Sequence, residues 1–452
     1  MVLFLCCLQS GWGQDRQLYG SQDLPQGIML NPGGRTVMNF HLGMPLLSGM
    51  HLRSGSSGVT VGDIFNADSA LNFNALVNDV VENLGPNERI FARQKLEILS
   101  FGWRSKQDIY FSGGWYQEAD AFTFIPKDVV DLVYFGNAPF VGRFFNFSRL
   151  NLTAEALSVF HFGINKKVTD KLTLGGRFKV YNSLANASST RNTGSFVTLD
   201  TPQGVNYFSQ QIRNLNLELK TSGISGIEAS DLVSNAFLSG NLGLGIDLGF
   251  NYQINDRWDW SGSIIDLGFV SHSKNIRNFY AEGSYTYNGI QLEFDENASD
   301  ENLTPYLRIL QDDFLESFSY GDRQGNYTTW RPARVYTDLS YGFMRDLDEC
   351  HCKSAAETTY KMKTGLLLTS VLRPYRPSYS VTGYLEYRVL RGLRTRLTYT
   401  ADTYSANNIG LLFSATVKNI NFYLATPSVL ALSDWSTART GGIQLGFQYI
   451  LK

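Results

Sequence analysis

The C-terminal stretch Gly441–Lys452, GGIQLGFQYILK, decides the fold class. Every second position from Ile443 to Leu451 is apolar or aromatic, and the positions between them are Gln444, Gly446, Gln448 and Ile450. This period of two predicts a β-strand with one apolar face and one small or polar face. Because such a strand promotes aggregation when its edge meets water, we expect it to pair with the first strand and close a barrel. Its apolar face would then contact lipid. The alternative is a soluble β-sandwich.

The amino-acid composition favours a membrane barrel over a soluble β-sandwich. Charged residues make up only 18% of the 452 residues, and aromatic residues reach 13%, which suits the aromatic girdles of a barrel at the two membrane interfaces. The formal charge of −2 argues against a nucleic-acid partner, which would require a basic surface. Beyond the extreme N-terminus no run of about 18 apolar residues occurs, so we expect no membrane-spanning helix.

The N-terminal residues Met1–Gln14 (MVLFLCCLQSGWGQ) predict a secretory signal peptide, although they contain no Lys or Arg. After its removal the chain would keep two cysteines, Cys350 and Cys352, so it is not a disulfide framework. With His351 these provide three soft ligands in a spacing that fits no standard zinc site. We therefore expect neither a metal nor a cofactor.

Alternation predicts about fourteen strands in the remaining chain, residues 36–452. The cleanest pattern covers 241–254. The fourteen lie near 36–47, 94–104, 108–118, 148–164, 171–183, 241–254, 258–271, 332–346, 359–372, 378–388, 394–404, 407–416, 419–427 and 441–452.

The connections between these strands alternate in length. Short turns are predicted at 105–107, 165–170, 255–257, 347–358, 389–393 and 417–418, and long insertions at 48–93, 119–147, 184–240 and 272–331. This alternation and the even strand number are typical of bacterial outer-membrane barrels with both termini in the periplasm. Apolar stripes and capping signals predict helices in the insertions at Leu71–Leu84, Pro126–Phe135, Glu228–Phe237 and Thr304–Phe318, and all but Glu228–Phe237 are expected to cover the outer mouth.

Residues 15–35 precede the first strand and contain LPQGIMLNPGG. Leu24, Ile28 and Leu30 are apolar, but Pro25 and Gly27 oppose a long regular element. Since irregular backbone at membrane depth requires protein or water around it, we expect this segment to lie inside the barrel as a hatch.

Polar and charged residues recur on the face opposite the apolar one and are predicted to face the lumen: His41, Glu155, His161, Arg177, Lys179, Asp247 and Arg396. Opposite charges on neighbouring strands stiffen a barrel wall, and the alternative is a selectivity ladder for an anionic solute. His41 and His161 could serve a hydrolase, but neither has an adjacent serine motif.

Five segments resemble an uncharacterised family of Bacteroidota outer-membrane barrels related to the long-chain fatty-acid transporter superfamily, which also includes an accessory barrel of the type IX secretion system. They are LPQGIMLNPG (24–33), FIPKDVVDLVYFGN (124–137), GINKKVTDKLTLGGRFKV (163–180), GLGIDLGFNYQI (243–254) and SGSIIDLGFV (261–270). The resemblance implies a 14-stranded barrel with an inward-folded N-terminal hatch near an Asn-Pro dipeptide. Asn31–Pro32 matches that dipeptide, and Gly33 follows where the transporters usually carry Ala.

Three function classes remain open. The first is a fatty-acid-transporter-like channel for a small amphipathic or hydrophobic solute, which requires a path beside the hatch. The second is a non-transporting partner barrel in a surface-export complex, which requires a plugged lumen and an apolar docking face. The third is an outer-membrane hydrolase. Outer-membrane lipid is the partner that all three share.

Overall fold

The computed structural model describes residues 15–58, 60, 81–82, 84–85, 87–201, 207–224, 240–289, 311–345, 360–373, 377–429 and 439–452. These residues form two α-helices, α1 (Pro25–Leu30) and α2 (Lys127–Phe135), helical stretches at 81–82 and 311–316, and two 3-10 helices, Asp15–Leu18 and Ala138–Phe140. The strands are β1 (Phe40–Gly43), β2 (Met50–Ser56), β3 (Asn87–Arg104), β4 (Ile109–Pro126), β5 (Phe144–Asn146), β6 (Asn151–Lys167), β7 (Leu172–Ser189), β8 (Thr193–Asp200), β9 (Phe208–Ser222), β10 (Leu242–Gln253), β11 (Trp258–His272), β12 (Asn278–Tyr287), β13 (Phe318–Arg323), β14 (Tyr327–Trp330), β15 (Arg334–Arg345), β16 (Tyr360–Val371), β17 (Ser378–Leu390), β18 (Leu393–Asp402), β19 (Asn408–Val417), β20 (Ile420–Thr426) and β21 (Thr440–Leu451).

The barrel closes where β21 meets the first wall strand. Phe40 of β1 pairs with Leu451, and Met50 of β2 pairs with Leu445, while both short strands also pair with β3 on their other side. Since β1 with β2 and β14 with β15 each form one interrupted strand, the wall has fourteen antiparallel strands. The predicted closed barrel is therefore confirmed.

One end of the barrel, here called the turn end, holds the tight hairpins and the pairing of Phe40 with Leu451. The hairpins between β3 and β4, β6 and β7, and β10 and β11 lie there, and in each of them the two strands pair with each other on both sides of the turn. The opposite end, here called the loop end, carries the connection after β4 and a second sheet. That sheet has the order β5–β8–β9–β12–β13 and joins the wall where β9 pairs with β7.

Several strands are longer than predicted. β4 continues to Pro126 and β7 to Ser189, and the insertions 184–240 and 272–331 contain β8, β9, β12, β13 and β14. Past the predicted ends, the inner face continues with buried polar residues, Asp120 in β4 and Asn186 in β7. The predicted first strand, 36–47, is also shorter at each end and resumes at Met50.

Helix α2 confirms the helix predicted at Pro126–Phe135. Residues 311–316 are helical, but Phe318, the last residue of the helix predicted at Thr304–Phe318, begins β13. All but three residues of Leu71–Leu84, and all of Glu228–Phe237, Met1–Gln14 and Cys350–Cys352, lie outside the described residues. Within the described residues, no helix has the length and apolar content needed to cross a bilayer.

The core lies inside the strand ring. Four apolar side chains of the N-terminal segment, Leu18, Tyr19, Leu24 and Leu30, form one buried cluster with inward-facing wall residues. Those wall residues are Ile265, Tyr336, Leu367, Tyr384, Leu412, Tyr423 and Ala425. Because they come from β11, β15, β16, β17, β19 and β20, the segment contacts a large part of the circumference from within.

Candidate functional site: the N-terminal segment in the lumen

The N-terminal segment, residues 15–35, has little regular structure and depends on the wall for its contacts. Pro25 occupies the first turn of α1, where its missing N–H costs nothing, and the helix ends after six residues at Asn31. The ring of Tyr19 stacks on Tyr336 of β15 with 5.2 Å between centroids. An aromatic pair of this kind contributes about 0.5–1.5 kcal/mol beyond the burial of its area.

Wall side chains satisfy the main-chain carbonyls of this segment. Arg396 donates to Tyr19 O at 2.6 Å and to Gln17 O at 2.8 Å. On the other side, the bonds are Arg177 to Ile28 O, Ser263 to Leu30 O, and Asn165 to Pro32 O and Gly34 O. Since a buried carbonyl without a partner costs about as much as a lost hydrogen bond, these side chains hold the irregular backbone in place.

Asn31, Pro32 and Gly33 press against two inward-facing glycines. A Cβ atom on Gly175 would lie 2.0 Å from Pro32 O, and one on Gly249 would lie 2.1 Å from Asn31 Oδ1. The side chain of Asn31 donates to Phe250 O at 3.0 Å and accepts from the Gly33 N–H at 3.0 Å. Only glycine permits this approach of two backbones. We call the contact of residues 31–33 with Gly175 and Gly249 the glycine seat.

The opposite part of the segment is held by charges. Asp23 pairs with Arg394 at 2.8 Å and with Lys452 at 3.4 Å, and Arg16 pairs with Asp402 at 3.4 Å. The Lys452 side chain is 41% exposed and that of Arg394 is 23% exposed. The pairs of Asp23 therefore lie partly in solvent, where salt screens them, whereas the side chains of Arg16 and Asp402 are only 8% and 1% exposed.

Beside the glycine seat, a continuous chain of buried ion pairs runs along the inner side of the wall from strand to strand. Asp247 accepts from Arg177 and Lys179, and Lys179 also reaches Asp266 at 2.6 Å. Arg334 links Asp266 to Glu118, which also pairs with Arg93 and Arg331. Arg331 then contacts Glu155. The chain therefore connects Arg177, which binds the N-terminal segment, with Glu155 near the loop end.

Hollows on the inner side are small and polar. One of about 230 Å³ opens toward the loop end, and its lining includes Asp120, Glu155, Lys220, Tyr327 and Arg373. A second, of about 40 Å³, lies deeper and shares Asp120 and Arg373 with the first. Between the N-terminal segment and β17, β18 and β19 the space falls to about 10 Å³. The volumes of these three hollows therefore decrease from the loop end toward the turn end.

A shallow apolar hollow of about 760 Å³ lies instead on the outer face. It forms because Gly176 and Gly262 lack side chains there, between Leu248, Trp260 and Ile264. Of the hollows described, the apolar one is outside the wall and the polar ones are inside.

A family model described as "Family of unknown function (DUF5723)" matches residues 32–426. The chain belongs to this family.

No curated protein sequence matches this DUF5723 chain. Among solved structures, the Ralstonia pickettii toluene transporter TbuX has a TM-score of 0.45 and 11% identity, covering 99% of this chain and 100% of that one. A Pseudomonas aeruginosa FadL homologue gives 0.43 and 11%, covering 95% of each chain. The CymD monoaromatic hydrocarbon channel gives 0.40 and 12%, covering 98% of each.

The predicted lumen residues of the DUF5723 chain fall into three groups. Arg177, Lys179 and Asp247 come together in the ion-pair chain, and Glu155 joins it through Arg331. Arg396 lies apart, where its Nε donates to Glu386 at 2.8 Å. His41 and His161 belong to neither the ion-pair chain nor the contacts of Arg396.

His41 contacts the Tyr110 hydroxyl and Ser100, and the ring of His161 packs near Tyr116. Each histidine is therefore part of the packed inner wall.

Sequence reasoning missed Asp266, Glu118, Arg93 and Arg331. Asp266 follows Ile264 and Ile265, and strict alternation from Ile264 would place it on the lipid face. A bulge between β10 and β11 shifts the register, and Asp266 adopts a positive φ of 60° that turns its side chain inward. The break of alternation in Ile264–Leu267 could have indicated the bulge. Glu118 was the last residue of a strand predicted too short.

The structure also brings Ser222 to His272, a pairing that the sequence did not indicate. Ser222 Oγ lies 2.8 Å from Nδ1, and Nε2 lies 2.9 Å from Thr329 Oγ1. In a catalytic triad a carboxylate would orient the histidine and stabilise its charged form. Here a hydroxyl occupies that position, and Ser222 and His272 are 1% and 0% exposed. This geometry fits a structural link between β9, β11 and β14.

Proposed function

We propose that this chain is a bacterial outer-membrane barrel of the transporter type, closed by residues 15–35 acting as a hatch. A small amphipathic solute passes when the hatch moves. Both termini of the mature chain are periplasmic, so the loop end faces outward.

The outer face supports the membrane assignment. On β17 the outward residues run from Tyr379 through Val381 and Leu385 to Tyr387, and all four are more than a third exposed. The eight residue steps from Tyr379 to Tyr387 span about 27 Å along the strand, comparable with the apolar band of about 25 Å in outer-membrane barrels. Aromatic residues at both ends are also exposed: Trp103, Trp258, Tyr387 and Tyr449 near the turn end, and Phe269, Trp330, Tyr379 and Tyr399 near the loop end.

The observation that carries the hatch assignment is how the segment is attached. Its carbonyls accept hydrogen bonds from Arg177, Ser263 and Arg396, but it forms no strand pairing with the wall in the part of the chain that is described. Side-chain bonds of this kind exchange for water individually, so the segment can leave without opening the barrel.

The solute class follows from the inner hollows. The hollow at the loop end combines charged groups such as Glu155 and Arg373 with the aromatic side chains Tyr327 and Trp330. A purely apolar solute would leave those charges desolvated and poorly partnered. A solute with one polar and one apolar part satisfies both, which favours an amphipathic molecule.

Flux into proteoliposomes tests this function. 4-Toluenesulfonate is a small amphipathic anion that crosses protein-free bilayers slowly. The full chain should carry it with a flux that saturates as its concentration rises, and should exclude maltotriose. Flux no greater than in protein-free liposomes would contradict the proposal.

The second candidate, a partner barrel in a surface-export complex, has one observation in its favour. The side chains of Val133, Tyr134, Val141 and Phe144 near the loop end are all exposed, with Val133 at 81%. Exposed apolar patches often mark protein contacts. Stable co-purification that is lost in a Val133→Asp, Val141→Asp variant, together with absent flux, would favour this candidate.

A further inference from the structure

Five of the six charged side chains that line the hollow of about 40 Å³ between the hatch and the wall are arginines. Arg16 of the hatch and four wall arginines line it, with Asp120 as the one carboxylate of the lining. The wall arginines are Arg53, Arg93, Arg334 and Arg373. Three of them are held in fixed positions: Arg93 and Arg334 by Glu118, at 3.0 and 3.3 Å, and Arg373 by both oxygens of Asp120. A planar guanidinium held in this way is preorganised for a second oxyanion.

Two hydroxyl groups point to a ligand independently of the charges. Thr369 and Ser378 line the same hollow and are 6% and 9% exposed. Among the described protein atoms, neither hydroxyl oxygen has a hydrogen-bond partner. Buried hydroxyls normally have one. Both can donate to an anion that sits between the arginines.

We propose that this hollow binds a small oxyanion, a phosphate or carboxylate group, between the hatch and the wall. At about 10–15 Å³ for each water-sized position, 40 Å³ gives room for about three such positions, which suits a carboxylate or phosphate headgroup. Guanidinium groups match the geometry of these oxyanions. Because Arg16 belongs to the hatch and the other arginines to the wall, the bound anion also stabilises the closed state.

The hydroxyl groups allow a test that leaves every ion pair intact. The double variant Thr369→Val, Ser378→Ala removes the two unpartnered donors and keeps the side-chain volumes close to their original values. Ser380→Ala is the matched control, because Ser380 is a buried serine on the same strand and the same face, also without a partner among the described atoms, and does not line the hollow.

Binding is measured by isothermal titration of the detergent-folded full chain with inorganic phosphate, acetate and chloride at matched ionic strength. The full chain and Ser380→Ala should bind phosphate with equal affinity and chloride at least tenfold more weakly. The double variant should lose about tenfold or more in phosphate affinity, since a hydrogen bond to a charged group contributes about 1.5–3 kcal/mol. If acetate binds as well as phosphate, the site takes a carboxylate headgroup.

Equal heats for chloride and phosphate, or an unchanged affinity in the double variant, would overturn the proposal and leave a hollow that holds water only. Since the titration is carried out in detergent, its outcome is independent of the flux assay above.

Discussion

The two halves of the hatch are held in different ways. Residues 31–33 form the glycine seat, and the main chain of residues 28–34 accepts hydrogen bonds from Arg177, Ser263 and Asn165. Around residue 23 the attachment is electrostatic: Asp23 pairs with Arg394 and Lys452, whose side chains are 23% and 41% exposed. Steric fit is insensitive to salt, whereas exposed ion pairs contribute only about 0–1 kcal/mol and are screened. The difference indicates that the stretch around Asp23 loosens first, and that the glycine seat decides whether the lumen stays closed.

The largest effect is expected at the seat itself. In Gly175→Ala the new methyl group would lie 2.0 Å from Pro32 O, a distance that neither backbone can accept, so residues 31–33 must leave. Conductance in planar bilayers should rise well above that of the unmodified chain. The control is the neighbouring Gly176→Ala, whose Cβ faces outward with its nearest neighbour at 3.7 Å. Equal conductance of the two variants would show that the seat does not hold the hatch.

A smaller effect is expected for Asn31→Ala. The variant loses the bonds to Phe250 O and Gly33 N–H and leaves buried backbone groups unsatisfied, which costs about 1–3 kcal/mol. The reporter is a cysteine at Met29, a partly buried hatch residue, in a chain with Cys350→Ser and Cys352→Ser. Its rate of labelling by a maleimide should rise roughly tenfold or more. Gln22→Ala, in the ion-paired half, should leave that rate near its original value.

The smallest expected effect is that of ionic strength on the ion pairs of Asp23. The Debye length falls from about 10 Å at 0.1 M to about 3 Å at 1 M, so the ion pairs of Asp23 weaken and the seat does not. With the same cysteine-free background, labelling at Ser21→Cys should increase a few-fold over this range, while labelling at Met29→Cys should stay constant. Parallel increases at both positions would mean that the hatch moves as one rigid unit.

Alternation in the sequence was enough to predict the fourteen wall strands and their closure, because an apolar outer face and a polar inner face impose opposite requirements on alternate residues. The continuation of β4 beyond Glu118 was missed, because charged residues such as Asp120 continue an inner face as readily as they form a loop. The break of alternation in Ile264–Leu267 marks an irregularity, but the register shift against β10 follows only from the paired strands.

The candidate site was less predictable for the same reason. Asn31 and Pro32 were selected by resemblance, but Gly175 and Gly249, the residues they touch, lie over 140 positions away in sequence. The three strands that supply Thr369, Ser378 and Arg93 to one hollow meet only after the barrel closes. Alternation predicted an inner face and some of its residues, such as Arg177 and Asp247, but only the fold determines which inner residues meet.

The most direct test of the closed lumen is the conductance of a chain that lacks residues 18–34 and retains residues 1–17 and the barrel. Recorded in planar bilayers beside the full chain, and after heat-modifiability has shown that the barrel is folded, the deletion should give large, stable openings where the full chain is almost silent. Equal conductance of the two chains would contradict the central claim that residues 15–35 close the barrel.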